Sequence, residues 1–191
     1  VKIVSVYPDN IAKNLTSVPA TMVTLNSETG EVNSLIDGTY LTRLRTGAIS
    51  GAATDELANP DSKIFALFGT GGQAETQLEA VLNVRDIKEV RVFDISKDRA
   101  KDFVNRMKEK LRNSFDFEIK AVDSADQAIE NADIITTVTT AKEPVFDGTK
   151  VKKGCHINGV GSYTPEMSEI PEYIITNADK IYVDTFDGAV S

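Results

Sequence analysis

Hydrophobic positions in this chain fall into short runs that alternate with stretches of helical spacing. Ile64–Phe68 is an apolar run too short for a typical helix and rich in β-formers, so it reads as a buried strand. Directly after it Ala74, Leu78, Val81 and Leu82 share one helical face, and Val90–Phe93 forms a second strand that ends in Asp94. The alternation continues with a helix from Lys97 to about Arg112, capped by Ser96, and a strand over Phe117–Val122. Ser124 then caps a short helix to Asn131, and strands follow at Ile134–Val138, His156–Val160 and Lys180–Asp184. Such alternation implies a parallel sheet with right-handed crossovers.

The first third is patterned differently. Val1–Tyr7 alternates and is β-branched, and Pro8-Asp9-Asn10 ends it with turn residues. Ala20–Asn26 and Glu31–Ile36 flank Ser27-Glu28-Thr29-Gly30, a loop of hairpin length. Asp37-Gly38 breaks this β unit, and Thr39 is the expected cap of a helix over Tyr40–Ala58 that Asn59-Pro60 stops. Gly47, Ser50, Gly51 and Ala53 stand where strong helix formers belong. Each glycine costs about 1 kcal/mol against alanine in a helix, so close packing on another surface is the expected compensation. The fold class is therefore α/β, with a Rossmann-type doubly wound parallel sheet over 59–191 and part of a second α+β unit over 1–58.

Gly69-Thr70-Gly71-Gly72-Gln73-Ala74 joins the first apolar strand to its helix as G-x-G-x-x-A. Gly69 permits the tight turn, Gly71 lets backbone approach a diphosphate with no Cβ in the way, and Ala74 allows close helix–strand packing. Free amides at the helix start favour negative charge. Asp94 lies about 25 positions after Gly69, where the dinucleotide fingerprint places the acid that holds the adenosine ribose hydroxyls. A glycine-rich turn that binds nothing leaves the position of that acid unexplained. Asp94, with Ile95 beside it, favours NAD over NADP because a carboxylate repels a 2′-phosphate, while Lys97 and Arg99 keep NADP open.

The chain has 191 residues, 41% of them hydrophobic, enough for a substantial core in one or two domains. Its net charge of -8 and its lack of a clustered basic face argue against nucleic acid or an anionic membrane as partner. No apolar run approaches a membrane span and no signal peptide is recognisable. Cys155 is the one cysteine, so no intrachain disulfide forms, and a reducing, cytoplasmic setting is expected. Val1 falls inside a strand pattern without an initiating methionine, and Val190-Ser191 ends the sequence with no capping element, so a portion of a longer protein is expected.

In a doubly wound sheet, ligands bind beyond the carboxyl ends of the strands, where strand order reverses. Besides the glycine turn and Asp94–Lys97, that selects Thr139-Thr140-Ala141 and the loop from Val160-Gly161 to Pro165. The Thr139 and Thr140 hydroxyls are placed to reach the diphosphate or nicotinamide ribose, or else they fill an ordinary loop. His156, the only histidine, reads as structural, and one histidine with one cysteine gives no metal spacing. No Ser/His/Asp arrangement occurs. Arg45 lies among the small residues of the junction helix, where a planar guanidinium can grip a substrate carboxylate.

The run from Leu35 to Ala48 (LIDGTYLTRLRTGA), the GTGGQA turn, and Gly154-Cys-His-Ile-Asn-Gly-Val-Gly161 together resemble the ornithine cyclodeaminase/μ-crystallin family over essentially the whole chain. Members of that family are longer at both ends. The resemblance implies a homodimer whose substrate and dimerisation domain, built from both termini, surrounds a central Rossmann domain. It implies hydride transfer at the Cα–N bond of a small amino or imino acid, nominally ornithine to proline with loss of ammonia. Alanine dehydrogenase and ketimine reductase activities are the alternatives, and a non-catalytic dinucleotide or small-ligand binder is another. The family's substrate lysine falls on Lys2 within Lys2-Ile-Val-Ser-Val-Tyr-Pro-Asp-Asn10, and its carboxylate-binding arginine on Arg45. Where ornithine cyclodeaminase carries an acid/base aspartate, this chain has Tyr163. A phenol holds its proton through neutral pH and is a poor base, which shifts the expectation toward a reductase or dehydrogenase. With half of the substrate domain outside the sequence, weak or no turnover is expected of residues 1–191 alone.

Overall fold

A computed structural model describes residues 1–13 and 15–186 of the chain, so Val190 and Ser191 lie outside the described residues. Three strands, β1 (Lys2–Val4), β2 (Ala20–Leu25) and β3 (Val32–Asp37), pair antiparallel in the order β1-β2-β3. The hairpin between β2 and β3 closes through Asn26, whose side chain accepts from the Glu28 and Thr29 amides. β1 is shorter than the expected Val1–Tyr7, and a 3-10 turn over Pro8–Lys13 follows it. Strand pairing ends where Ser5 and Tyr7 instead donate to the Pro19 and Ser17 carbonyls.

Helix α1 spans Gly38–Leu57, beginning two residues before the expected start. Its cap is Asp37 rather than Thr39: the Asp37 carboxylate accepts from the Thr39 amide at 2.8 Å. The Thr39 hydroxyl is drawn away to accept from the Ala20 amide of β2, so a residue with good cap chemistry is used to dock the helix on the sheet. Gly38 ends the β unit as expected, since β3 closes at Asp37. It opens the helix because a Cβ there would lie 3.0 Å from the Ala20 backbone.

Five parallel strands make the second sheet: β4 (Ile64–Phe68), β5 (Glu89–Phe93), β6 (Glu118–Ala121), β7 (Ile134–Thr137) and β8 (His156–Gly159), in the order β6-β5-β4-β7-β8. The chain thus runs outward from β4 in one direction and then, from β7, in the other, which is the Rossmann arrangement expected from the sequence. Helices α2 (Ala74–Val84) and α3 (Lys97–Leu111) cover one face with Phe65, Leu67, Val90, Val92 and Ile134 beneath them. Helix α4 (Ala125–Ile129) and the later helix α5 (Glu172–Asn177) contribute to the opposite face, around Ala66, Phe68, Ile135 and Phe146. Ser96 and Ser124 cap α3 and α4 through their side chains, as their positions predict.

The small residues of α1 are explained by α2. A Cβ on Gly47 would meet the Thr76 backbone at 2.5 Å, and one on Gly51 would meet Ala80 at 3.1 Å. The contact is closed at its far end by Arg85, which donates to the Thr54, Asp55, Ala58 and Asn59 carbonyls and pairs with Asp55. A cation that gathers the open carbonyls of a helix end complements its dipole there. The expected strand at Lys180–Asp184 does not form. Ile181, Tyr182 and Val183 are exposed and carry no ladder, because β-propensity expresses fit to a pleated surface and no strand among the described residues pairs with this segment. No helix among the described residues is long and apolar enough to cross a membrane.

Candidate functional site

The switch point lies between the carboxyl ends of β4 and β7. Gly69 leaves β4 with φ +93°, a conformation open to glycine, and its amide donates to the Phe93 carbonyl at 2.9 Å. A Cβ at Gly69 would also lie 2.7 Å from the Val138 carbonyl oxygen, so the turn is pressed against the loop after β7. Gly71 differs. A Cβ there would meet no atom of the chain within 4 Å, so the turn presents bare backbone to open space. Ala74 is buried against the sheet, as close packing requires.

Asp94 faces that turn. One carboxylate oxygen accepts from the Thr70 amide (3.1 Å) and hydroxyl (2.7 Å), the other from the Ser96 amide (2.9 Å) and Arg99 (2.8 Å). Four donors fill the acceptor sites of a carboxylate, so Asp94, only 8% exposed, braces the glycine turn as well as marking the strand tip. Ile95 beside it is 91% exposed. Burial pushes the Asp94 carboxyl upward, but hydrogen bonds from Ser96, Thr70 and Arg99, with the Arg99 charge, outweigh it and hold it below the usual range.

A folded value below the unfolded one means that Asp94 stabilises the fold above the ordinary aspartate range, and that this is lost as pH falls through the lowered value. Glu89, bonded to Arg91 and Lys120, acts alike, its pKa lowered from 4.5 to about 2. Stability is expected to decline from about pH 5 toward pH 2, and Asp94→Asn to flatten part of that slope. Urea midpoints measured across the window check this; an unaltered slope in the variant removes Asp94 from the account.

On the other side of the crevice, the loops after β7 and β8 are joined by a residue the sequence reading did not single out. Glu169, 2% exposed, accepts from the Thr139 amide (2.6 Å), the Thr139 hydroxyl (2.7 Å) and the Gly161 amide (2.7 Å). The Thr139 hydroxyl is thereby committed to the protein, whereas Thr140 is exposed. Val160 is half-buried and continues the β8 ladder by donating to the Thr137 carbonyl. Gly161 fits only without a side chain, since a Cβ would lie 2.1 Å from the Thr139 carbonyl oxygen. Tyr163, in the same loop, is 58% exposed.

The two cations expected to hold substrate come from different elements of the first unit. Lys2 is on edge strand β1 and Arg45 on α1; both are exposed, and neither forms an ion pair among the described residues. Arg45 lies about 200° around the helix from Gly47, so it points away from the α2 contact. Its neighbour Arg43, passed over in the sequence, is the arginine that reaches the glycine turn: its Cδ is 4.0 Å from where a Gly72 Cβ would sit. Buried polar atoms without a partner gather here, among them Arg43 Nε and Gln73 Oε1. His156 stands at the opposite end of β8, bonded to Asn158 and lowered from its ordinary value by burial, which fits the structural role expected. Burial pushes the neighbouring Cys155 thiol up to about 12, leaving it an inert, protonated side chain.

A family model described as the ornithine cyclodeaminase/mu-crystallin family matches residues 1–189. A Delta(1)-pyrroline-2-carboxylate reductase of Bacillus cereus is 39% identical over 189 residues, covering 99% of this chain and 57% of that protein. A solved Thermococcus litoralis Delta(1)-pyrroline-2-carboxylate reductase, in complex with NADH and L-proline, superposes with a TM-score of 0.83 at 45% identity, over 89% of this chain and 51% of the other. An archaeal alanine dehydrogenase dimer with bound NAD gives a TM-score of 0.87 at 36% identity, over 98% and 56%. The chain spans little more than half the length of these relatives.

Proposed function

Because the chain belongs to the ornithine cyclodeaminase/mu-crystallin family, we propose that it holds the nucleotide site, and part of the substrate site, of an NAD-dependent enzyme acting on the Cα–N bond of a small amino or imino acid. The observation that carries this reading is the glycine turn: an open cradle at Gly71, braced by Asp94 through Thr70, at the switch point of a Rossmann sheet. The residues fit the cofactor, since a Cβ on Gly71 would fill the space a diphosphate takes. Gly69, Thr70, Gly71, Gly72 and Gln73 form the cradle and Ala74 its packing base. Asp94 and Ile95 border the adenosine side, with the ribose hydroxyls exchanging for the Arg99 or Thr70 contact. Thr140, with Thr139, Val160 and Gly161 as backbone walls, borders the nicotinamide side. NAD is the preferred form, while Arg99 and Lys97 at the Asp94 tip leave NADP admissible.

A nicotinamide held there would supply one hydride to the C=N carbon on reduction, or accept one from Cα–H in the reverse direction. The chain's own residues hold the substrate: Arg45 and Lys2 take its carboxylate and polarise the C=N bond, and the Tyr163 hydroxyl stands where a proton is passed. The pyrroline-2-carboxylate reductase relatives, and a phenol in place of the aspartate, favour reduction of a cyclic imino acid over ornithine cyclodeamination. Ketimine reduction and alanine dehydrogenation remain the neighbouring alternatives. The exposed apolar side chains of β1, β3 and α1, including Ile3, Leu35 and Ile49, are read as a surface covered by the rest of the protein or by a second subunit, consistent with the dimeric relative.

NADH oxidation with 1-pyrroline-2-carboxylate, with pyruvate and ammonia, and proline formation from ornithine separate the three activities in the whole protein. Binding without turnover across the panel supports a non-catalytic binder. In the chain itself, Gly71→Ala is expected to leave the unfolding free energy from urea titration within about 0.5 kcal/mol of wild type, because the new methyl meets no protein atom, yet to abolish NADH binding in a fluorescence titration. Undiminished binding in that variant would remove the turn as the cofactor site.

A further inference from the structure

The packing of α1 on α2 runs along two matched rows. Gly47 lies against Thr76 and Gly51 against Ala80; one helical turn earlier the same rows bring Arg43 over Gly72. The arginine stem is thus laid along the glycine turn, with its Cδ 4.0 Å from a Cβ built on Gly72. The Nε is buried and has no hydrogen-bond partner, and the guanidinium carbon sits 6.0 Å from the Tyr40 ring centroid. Buried donors are nearly always paired, so an orphan beside an open, amide-lined turn asks for an acceptor.

The charges around the turn are otherwise spoken for. Arg99 is paired with Asp94, Lys97 with Asp123, and Lys110 with Glu75 and Glu79 at the start of α2. Arg43 forms no ion pair among the described residues. In a chain of net charge -8, a doubly anionic ligand arriving at Gly71 needs a local cation, and within the turn itself there is none.

From this geometry we propose that Arg43 binds the cofactor diphosphate. Its guanidinium extends from α1 over Gly72 and donates Nε–H and a terminal N–H to one phosphate, while the α2 amides serve the other. The junction helix, and not the parallel sheet alone, then holds the cofactor. Binding consequently draws the first β unit and the Rossmann sheet together at the Arg43 end of the α1–α2 contact, as Arg85 already does at the other. The inference rests on the dinucleotide site proposed above.

Calorimetric titration of residues 1–191 with NADH, and with ADP-ribose, which keeps the diphosphate but lacks nicotinamide, tests it over a series of salt concentrations. Arg43→Ala is expected to weaken both ligands equally, by about tenfold or more, and to flatten the salt dependence that a phosphate–guanidinium pair produces. Arg43→Lys keeps the charge and should recover part of the affinity. Arg43→Gln keeps the stem with no charge, so it separates lost packing from lost pairing should the alanine variant melt early. Wild-type affinity and salt dependence in the alanine and glutamine variants would overturn the proposal and leave the dinucleotide site standing. A loss confined to NADH, with ADP-ribose unaffected, overturns it as well, by placing Arg43 at the nicotinamide end. If the wild-type chain binds neither ligand, the site reading and this inference fall together.

Discussion

Replacing Gly161 with alanine is expected to lower unfolding free energy by about 3 kcal/mol or more and to abolish dinucleotide binding. The added methyl would stand 2.1 Å from the Thr139 carbonyl oxygen and 2.4 Å from its nitrogen, and both are backbone atoms with no rotamer to retreat into. Relief requires the loops after β7 and β8 to separate. Separation breaks the Gly161 amide bond to Glu169, leaving a buried carboxylate short of a donor. A urea titration reads the stability loss, and a fluorescence titration with NADH reads the binding. Gly154→Ala is the comparison: that glycine, unlike Gly161, has a positive φ, at +79°, but open space around it, so it carries only the left-handed penalty of roughly 1–2 kcal/mol. If the two variants unfold at the same midpoint, the clamp between the loops contributes nothing.

The second large effect is expected at the other half of the clamp. Glu169→Ala removes the acceptor for two backbone amides and a hydroxyl and leaves a void beneath them, for a loss of about 3–5 kcal/mol. Glu169→Gln should fall between wild type and alanine. Its amide oxygen can still accept from Thr139, but its NH2 then faces the Gly161 N–H, donor against donor. The graded order in denaturation midpoints is the outcome to look for. An alanine variant as stable as wild type would mean that water or a shifted loop satisfies those donors equally well.

Glu169 also illustrates why parts of the site escape a reading of the sequence. Nothing in Met167-Ser168-Glu169-Ile170 distinguishes it from a solvated acid after a turn, because its partner Thr139 is thirty residues away. Arg43 and Arg45 pose the same problem at short range. Motif resemblance picks Arg45, while helix rotation and the row begun by Gly47 and Gly51 lay Arg43 against the turn. Thr39 has the chemistry of a cap, yet the Ala20 amide, across the sheet, claims its hydroxyl and leaves Asp37 to do the capping. Lys180–Asp184 has the residues of a strand and, among the described residues, no neighbour to make it one.

What could be read along the chain was whatever depends on residues a few positions apart. The apolar runs and their periods gave the order of strands and helices, Ser96 and Ser124 gave two helix starts, and Gly69 to Asp94 gave a glycine turn with an acid at the next strand tip. Periodicity, capping and turn chemistry are all short-range, so they survive in one dimension. Which buried donor meets which acceptor is another matter. Glu169 between two loops, Arg85 across the end of α1, and Arg43 over Gly72 were settled only when the sheet closed and brought distant segments within about 3–4 Å of one another. A polar group shut away from water must take the partner that topology delivers to it, and topology is not a local property.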